Sequence, residues 1–214
     1  MTVLLKIDPR KPDIEILAET SRILREGGII AFPTETFYGL GVDARQEAAL
    51  EKIFRIKGRN VRNPVSVIVD SEEQVIPLVT AIPEAARFLM KRFWPGPLTL
   101  VFCAAPPVSS YLTGGTGKIG IRVSSHTVAR GLAKRLSGPI TATSANLSGG
   151  QECTTAADVI QLFGNGLDAI IDGGPTPGGM GSTILDITVH PPLVLRTGAV
   201  SLTEILESLG IPAR

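Results

Sequence analysis

Apolar residues recur at Ile16, Leu17, Ile23 and Leu24 against polar neighbours, a period near 3.6 that predicts an amphipathic helix over 13–26, closed by Gly27 and Gly28. The apolar run 29–32 reads as a buried strand, and the loop 33–41 leads into a second helix over 47–57 with Leu50, Ile53 and Phe54 on one face. Its basic end suits the helix dipole. Val65 to Val69, bounded by Pro64 and Asp70, predicts a strand, and Ser71-x-x-Gln74 a short helix that Pro77 ends or kinks. Pro83 opens a helix over 84–93, and Trp94-Pro-Gly-Pro97 stops it before a strand over 98–102. Beyond these come a strand over 118–123, a helix over 127–136, a strand over 140–143 and a helix over 155–163 opened by Thr155-x-x-Asp158. Strands over 169–172, 183–187 and 193–196 follow, with a last helix over 202–209 opened by Ser201-x-x-Glu204. This interleaving predicts an α/β fold with a mixed sheet, and no repeat or linker divides the chain. Residues 1–214 therefore read as one domain.

Composition narrows the class. The 214 residues are 43% hydrophobic and 19% charged with a net charge of +1, which describes a folded globular chain. The longest apolar stretch, Leu98 to Ala105, is far short of the roughly 18 residues of a spanning helix. Val3-Leu4-Leu5 is broken by Lys6 and Asp8 and cannot act as a signal-peptide core, so a cytoplasmic protein without membrane contact is expected. The cysteines, Cys103 and Cys153, and the histidines, His126 and His190, lack metal-site spacing and leave little for a Cys-His or Ser-His-Asp mechanism. No protein metal site is expected, and Cys103, inside an apolar run, is read as a small core residue. A sequence pI near 7.8 weakens, without excluding, a nucleic-acid-binding role.

Two phosphate-binding signatures fail. Thr113-Gly-Gly-Thr-Gly-Lys118 lacks the first glycine of a P-loop and is followed by a strand; Gly173 to Ser182 has no G-x-G-x-x-G register. The second segment is either a flexible loop or an anion cradle with Ser182 and Thr183 as added donors. Lys57 and Arg59 flank Gly58 where the second helix ends, in a basic loop that could aim two cations at one polyphosphate. Thr141-Ala-Thr-Ser144-Ala-Asn146-Leu-Ser148-Gly-Gly150 follows an apolar strand, where open α/β sheets bind ligands; Ser144 and Asn146, two apart, either share a face or form a simple turn.

Together, Pro33-Thr-Glu-Thr-x-Tyr-Gly-Leu-Gly41, Lys57-x-Arg59, Trp94-Pro-Gly-Pro-Leu-Thr-Leu100, Gly120-Ile-Arg-Val123, Thr143-Ser-Ala-Asn-x-Ser-Gly149, Ser182-Thr183 and Leu195-Arg-x-Gly198 resemble the YrdC/TsaC family of threonylcarbamoyl-AMP synthases over about 13–200. The resemblance implies a twisted α/β domain with a large concave basic cavity that condenses L-threonine, bicarbonate and ATP, with magnesium held through the ATP phosphates. It further implies a tRNA-modification transferase complex as partner, with tRNA contact, and threonylcarbamoyladenosine next to the anticodon as the end point. Matched position by position, Lys57, Arg59, Ser144 and Asn146 are the expected catalytic set. Thr36, Arg122, Ser144 and Ser182 are expected to hold threonine, and Arg59, Asn63, Lys118, Asn146, Thr154 and Arg196 to hold ATP. Lys57 and Arg59 are expected on a solvated cavity wall.

The chain departs from the family pattern at Asn60 and Ser124, which replace prolines, and at Ile68, a histidine in some members. A noncatalytic module binding tRNA or double-stranded RNA is the competing reading. Carbamoyl-adenylate chemistry is the competing enzymatic one, disfavoured by the missing zinc-finger cysteines.

Overall fold

The computed structural model describes residues 1–210, and its eleven short strands divide between two mixed sheets. One contains β1 (Val3–Lys6), β2 (Ile30–Pro33), β3 (Tyr38–Gly41), β8 (Thr143–Ser144) and β9 (Ala169–Asp172) in the order β1-β9-β2-β3-β8. The other contains β4 (Val67–Val69), β5 (Leu98–Cys103), β6 (Lys118–Val123), β7 (Ile140–Thr141), β10 (Thr183–Asp186) and β11 (Leu193–Arg196) in the order β11-β10-β5-β6-β4-β7. Pairing is parallel for β1–β9, β2–β9, β4–β6 and β5–β10, and antiparallel elsewhere.

Helices cover the sheets because each hides one apolar face. α1 (Ile14–Arg25) starts at Asp13, whose side chain accepts from the backbone N–H of Glu15 and Ile16. It packs on α5 (Thr127–Leu136), joining Leu17, Leu24, Val128 and Leu132 to Phe32, Ile68 and Ile140 in one buried cluster. α2 (Glu47–Lys57), α3 (Glu84–Phe93), α6 (Ala156–Phe163) and α7 (Leu202–Ser208) supply Leu50, Ile53, Leu89, Val159 and Ile205 to the larger core, which spans both sheets. Each such aliphatic side chain contributes about 1.5–3 kcal/mol of burial. The short α4 (Ser110–Thr113) completes the helices. Capping boxes form at Thr155 and Ser201, as the sequence predicts.

The N-terminal segment, for which the apolar pattern predicts no element, is β1, an edge strand whose Val3 and Leu4 stay exposed. Three expectations are corrected here. Tyr38–Gly41 is a strand rather than loop: Gly39 and Gly41 hide its propensity, yet a Cβ on Gly41 would lie 2.7 Å from both Phe32 and Ile140. At Ser71-x-x-Gln74 no α-helix forms; Gln74 Oε1 accepts from Asp70 N at 3.2 Å and the chain makes only a 3₁₀ turn, Ile76–Leu78. Cys103 is exposed, because alternation at the end of β5 turns it outward from Phe102, and Cys153 is the buried thiol.

The predicted strand over 140–143 is split between the two sheets. Thr141 pairs with β4 in one and Thr143 with β3 in the other, and between them Ala142 donates its N–H to Ser66 O at 2.9 Å. The polypeptide crosses from sheet to sheet at this residue.

Candidate active site

A continuous cleft opens where the chain crosses. Thr36, Arg122, Thr143, Ser144, Ser182 and Arg196 line one end, Arg59, Ser66 and Thr99 the middle, and Asn63, Lys118 and Asp186 the other end. The strand ends put these side chains there: Arg122 from β6, Thr99 from β5, Lys118 from the start of β6 and Ser144 from β8.

Arg122 is 6% exposed and lies opposite Ile68 in the β6–β4 pairing. Its Nη1 pairs with the Glu35 carboxylate, whose other oxygen accepts from Ser124 Oγ. Nε and Nη2 take no partner among the described residues, and neither belongs to the buried unsatisfied atoms, so that edge of the guanidinium meets the cleft. Arg196, from the exposed edge strand β11, turns its guanidinium inward to Ser182: Nε and Nη2 donate to Ser182 O at 3.0 and 2.7 Å, and Nη2 to Ser182 Oγ at 2.9 Å. Ser182 Oγ also meets Thr99 Oγ1 at 2.9 Å. Burial, then the neighbouring charge of Arg122, holds the Arg196 guanidinium below its ordinary value; Glu152 opposes this and Arg59 adds to it. Arg59 is lowered by burial alone.

Glycine makes the close backbone approach to Ser182 possible. A Cβ on Gly198 would sit 2.3 Å from Gly181 O and 2.5 Å from the carbonyl carbon of Ser182, so the segment after β11 approaches the backbone at 181–183 only without a side chain. At the other end Gly120 leaves room for Ser66, whose Oγ would be 2.8 Å from a Cβ there.

Lys57 corrects the solvated-wall expectation. It is 2% exposed, and its ammonium donates to Ser144 O at 2.6 Å, Asn146 O at 2.6 Å and Asn146 Oδ1 at 3.0 Å. Those bonds use all three N–H groups. Asn146 Oδ1 also accepts from Ser144 Oγ at 2.8 Å, and Asn146 Nδ2 donates to Gly150 O at 2.6 Å. Burial first, and Arg59 second, push the Lys57 pKa down to about 8, with Cys153 and Glu152 opposing. Gly58 then ends α2 in the left-handed region at φ +59° and throws Arg59 off the helix axis, where it donates to Asn63 O and Pro64 O at 3.2 and 2.8 Å.

Of the residues expected from sequence, the cleft gathers Thr36, Arg59, Asn63, Lys118, Arg122, Ser144, Ser182 and Arg196. Lys57 and Asn146 lie behind its wall, bonded to Ser144. Lys118 is paired with Asp186 at 2.8 Å. Thr154 stands apart: its hydroxyl and N–H bond Asp158 Oδ2 at 3.3 and 3.0 Å at the start of α6, outside the cleft. Sequence reasoning assigned no role to Glu35, Thr34, Thr99, Ser66 or Glu152. Glu35 and Thr34 sit inside the Pro33-Thr-Glu-Thr36 segment, and Thr34 Oγ1 lies 3.1 Å from Thr36 Oγ1. Among the described residues no group of three or more His, Cys, Asp and Glu side chains gathers to hold a metal ion.

A curated threonylcarbamoyl-AMP synthase of Pyrococcus abyssi is 41% identical over 210 residues, covering 98% of this chain and 62% of the relative. The Bacillus subtilis protein of the same name is 40% identical over 195 residues, covering 91% of this chain and 56% of the relative. The chain thus spans less than two thirds of the length of these relatives. A crystal structure of P. abyssi Sua5 complexed with L-threonine superposes with a TM-score of 0.94 at 40% identity, covering 98% of this chain and 61% of that one. A family model described as telomere recombination matches residues 22–198, and with it the chain belongs to the Sua5/YciO/YrdC family.

Proposed function

We propose that this protein condenses L-threonine, bicarbonate and ATP into threonylcarbamoyl-AMP and pyrophosphate. The observation that carries the reading is the Arg122 guanidinium, sealed on the Glu35 side and open to the cleft on the other, with the hydroxyls of Thr36 and Ser182 along the same wall. An arginine edge beside hydroxyls fits a small hydroxy amino acid, its carboxylate taken by a two-pronged pair. That the similar P. abyssi protein forms a complex with L-threonine supports threonine as the ligand.

The chemistry asks for placement more than for a protein nucleophile. Bicarbonate takes up a proton and loses water to give carbon dioxide, and the threonine amine adds to it and loses a proton, giving a carbamate; a carbamate oxygen attacks the α-phosphorus of ATP, and the bond to pyrophosphate breaks. Arg59 and Arg196, two cations held close together in a partly dry cleft, gain from an anion between them and receive the phosphates. Lys118 and Asn63 lie at the far end, where the nucleotide would extend. Ser144 lines the wall beside the carbamate with its hydroxyl proton held by Asn146 Oδ1, and Asn146 and Lys57 fix the strand that carries it. Thr154 receives no ligand contact in this reading. Magnesium enters bound to the ATP phosphates, as part of that substrate.

We read the product as destined for a transferase complex that modifies the tRNA adenosine next to the anticodon. No described helix is long and apolar enough to cross a membrane. The test is mass-spectrometric detection of threonylcarbamoyl-AMP from purified protein, omitting ATP, threonine or bicarbonate in turn. Product that needs all three supports the reading; none from folded protein, where a known synthase works, overturns it in favour of noncatalytic RNA binding.

A further inference from the structure

Glu35 is absent from the cleft lining, yet it touches a residue that dominates it. Its side chain is 14% exposed and lies behind Arg122, which is 7% exposed by side chain. One carboxylate oxygen meets Arg122 Nη1 and the other Ser124 Oγ. Ser124 is fully buried and is itself fixed by the N–H of His126 on its Oγ at 3.1 Å. The network runs from the start of α5, through Ser124 and Glu35, to the back of the guanidinium.

Resting on the threonine reading above, we propose that Glu35 is a positioning residue for the threonine-carboxylate contact, and that Ser124 is the second anchor that orients it. A guanidinium on a flexible stem would otherwise sample several rotamers; with Nη1 bound from behind, its Nε and Nη2 edge is presented to the cleft in one orientation. Glu35 also neutralises a charge that is otherwise buried beside Arg59 and Arg196, so Arg122 can stay in place before the substrate arrives. The free carboxylate of threonine then meets a pre-set fork instead of ordering one.

Three of the charged or titratable groups facing this network come from different elements. Arg122 is on β6, Arg196 on β11, and His126 precedes α5 with its buried Nδ1 lacking a hydrogen-bond partner. Burial lowers the His126 pKa, with Glu35 opposing, which favours the uncharged imidazole beside this network.

The experiment compares wild type, Glu35→Gln and Ser124→Ala in adenylate synthesis, with KM for threonine and for ATP measured separately and thermal melting recorded alongside. Glu35→Gln keeps size and one acceptor but removes the charge; the threonine KM is expected to rise by about 10-fold or more, a charge-assisted bond's worth, with the ATP KM within about twofold. Ser124→Ala leaves the carboxylate and is expected to raise the threonine KM by about 2–5-fold. Equal rises in both KM values, or none, would make Glu35 structural and overturn the inference. A fall in the threonine KM would overturn it too, by marking Glu35 as a competitor for Arg122. Wild type that makes no adenylate would instead remove the threonine reading on which the inference stands.

Discussion

Replacing Lys57 with methionine keeps the unbranched apolar stem and removes the ammonium, with separate consequences for stability and for turnover. Three acceptors lose a donor, but unequally. Ser144 O still accepts from Asn146 N at 3.0 Å, and Asn146 Oδ1 still accepts from Ser144 Oγ at 2.8 Å. Asn146 O alone loses its only partner among the described residues. One buried orphan acceptor costs about 1–3 kcal/mol, and part is returned because a buried charge no longer has to be desolvated. For a chain of this size that lowers the melting temperature by roughly 2–10 °C. Turnover should suffer more, because the wall carrying Ser144 loses its tie to α2, and a displacement near 1 Å at a reacting centre costs about 100-fold. Calorimetry on the Lys57→Met protein, with adenylate formation followed by mass spectrometry, reads both quantities. Turnover within a few-fold of wild type would refute the claim that Lys57 acts by holding the 144–146 segment.

The same lysine gives a pH prediction. With its folded pKa near 8, below the ordinary lysine value, the unfolded chain binds more protons between about pH 8 and that value, so this group's contribution to stability grows as pH rises. Turnover should fall over the same range as the ammonium is lost, and a pH profile of kcat beside a melting series would separate the opposite trends. Arg122→Ala should raise the threonine KM by about 10–100-fold and leave the ATP KM nearly fixed, checked by substrate titration; an unchanged threonine KM would make Arg122 structural. Gly198→Ala forces a Cβ against Gly181 O and should cost about 1–3 kcal/mol while raising the threonine KM through Ser182, read by melting and kinetics. Thr154→Val should leave the ATP KM within about twofold, since its hydroxyl faces Asp158.

Much of the fold was legible because most elements bury one periodic face. α1, α2, α3, α5 and α6 fall within a residue or two of the ranges read from apolar spacing and caps. What the pattern hid lies where periodicity has nothing to report. β1 is an edge strand with exposed Val3 and Leu4, and β3 is half glycine. The crossing at Ala142 could not be read either, since a run of alternating small residues looks identical whether it pairs with one sheet or two. The site followed the same division. Arg122, Ser182 and Arg196, which line the cleft, stand in motifs legible in the sequence, while the contacts of Glu35 are not legible there because its partners are 87 and 89 positions away.

Lys57 and Arg59 show why residue type and spacing could not settle role. Two cations flanking a glycine at a helix end look alike in sequence, and both were expected to face a polyphosphate. The left-handed turn at Gly58 sends them apart: Lys57 stays on the helix and points into the core of the site wall, while Arg59 leaves it and lines the cleft. The point charge with three rotatable donors has gathered three oxygens from a short, small-residue segment that has little core of its own to pin it. The planar fork, which suits phosphate geometry, is the one left facing outward. On that division, Lys57→Arg should fail at the buried position, where a fork cannot satisfy three acceptors clustered around one point, while Arg59→Lys should retain partial turnover. The reverse ranking in adenylate synthesis would show that the ammonium reaches the phosphates itself.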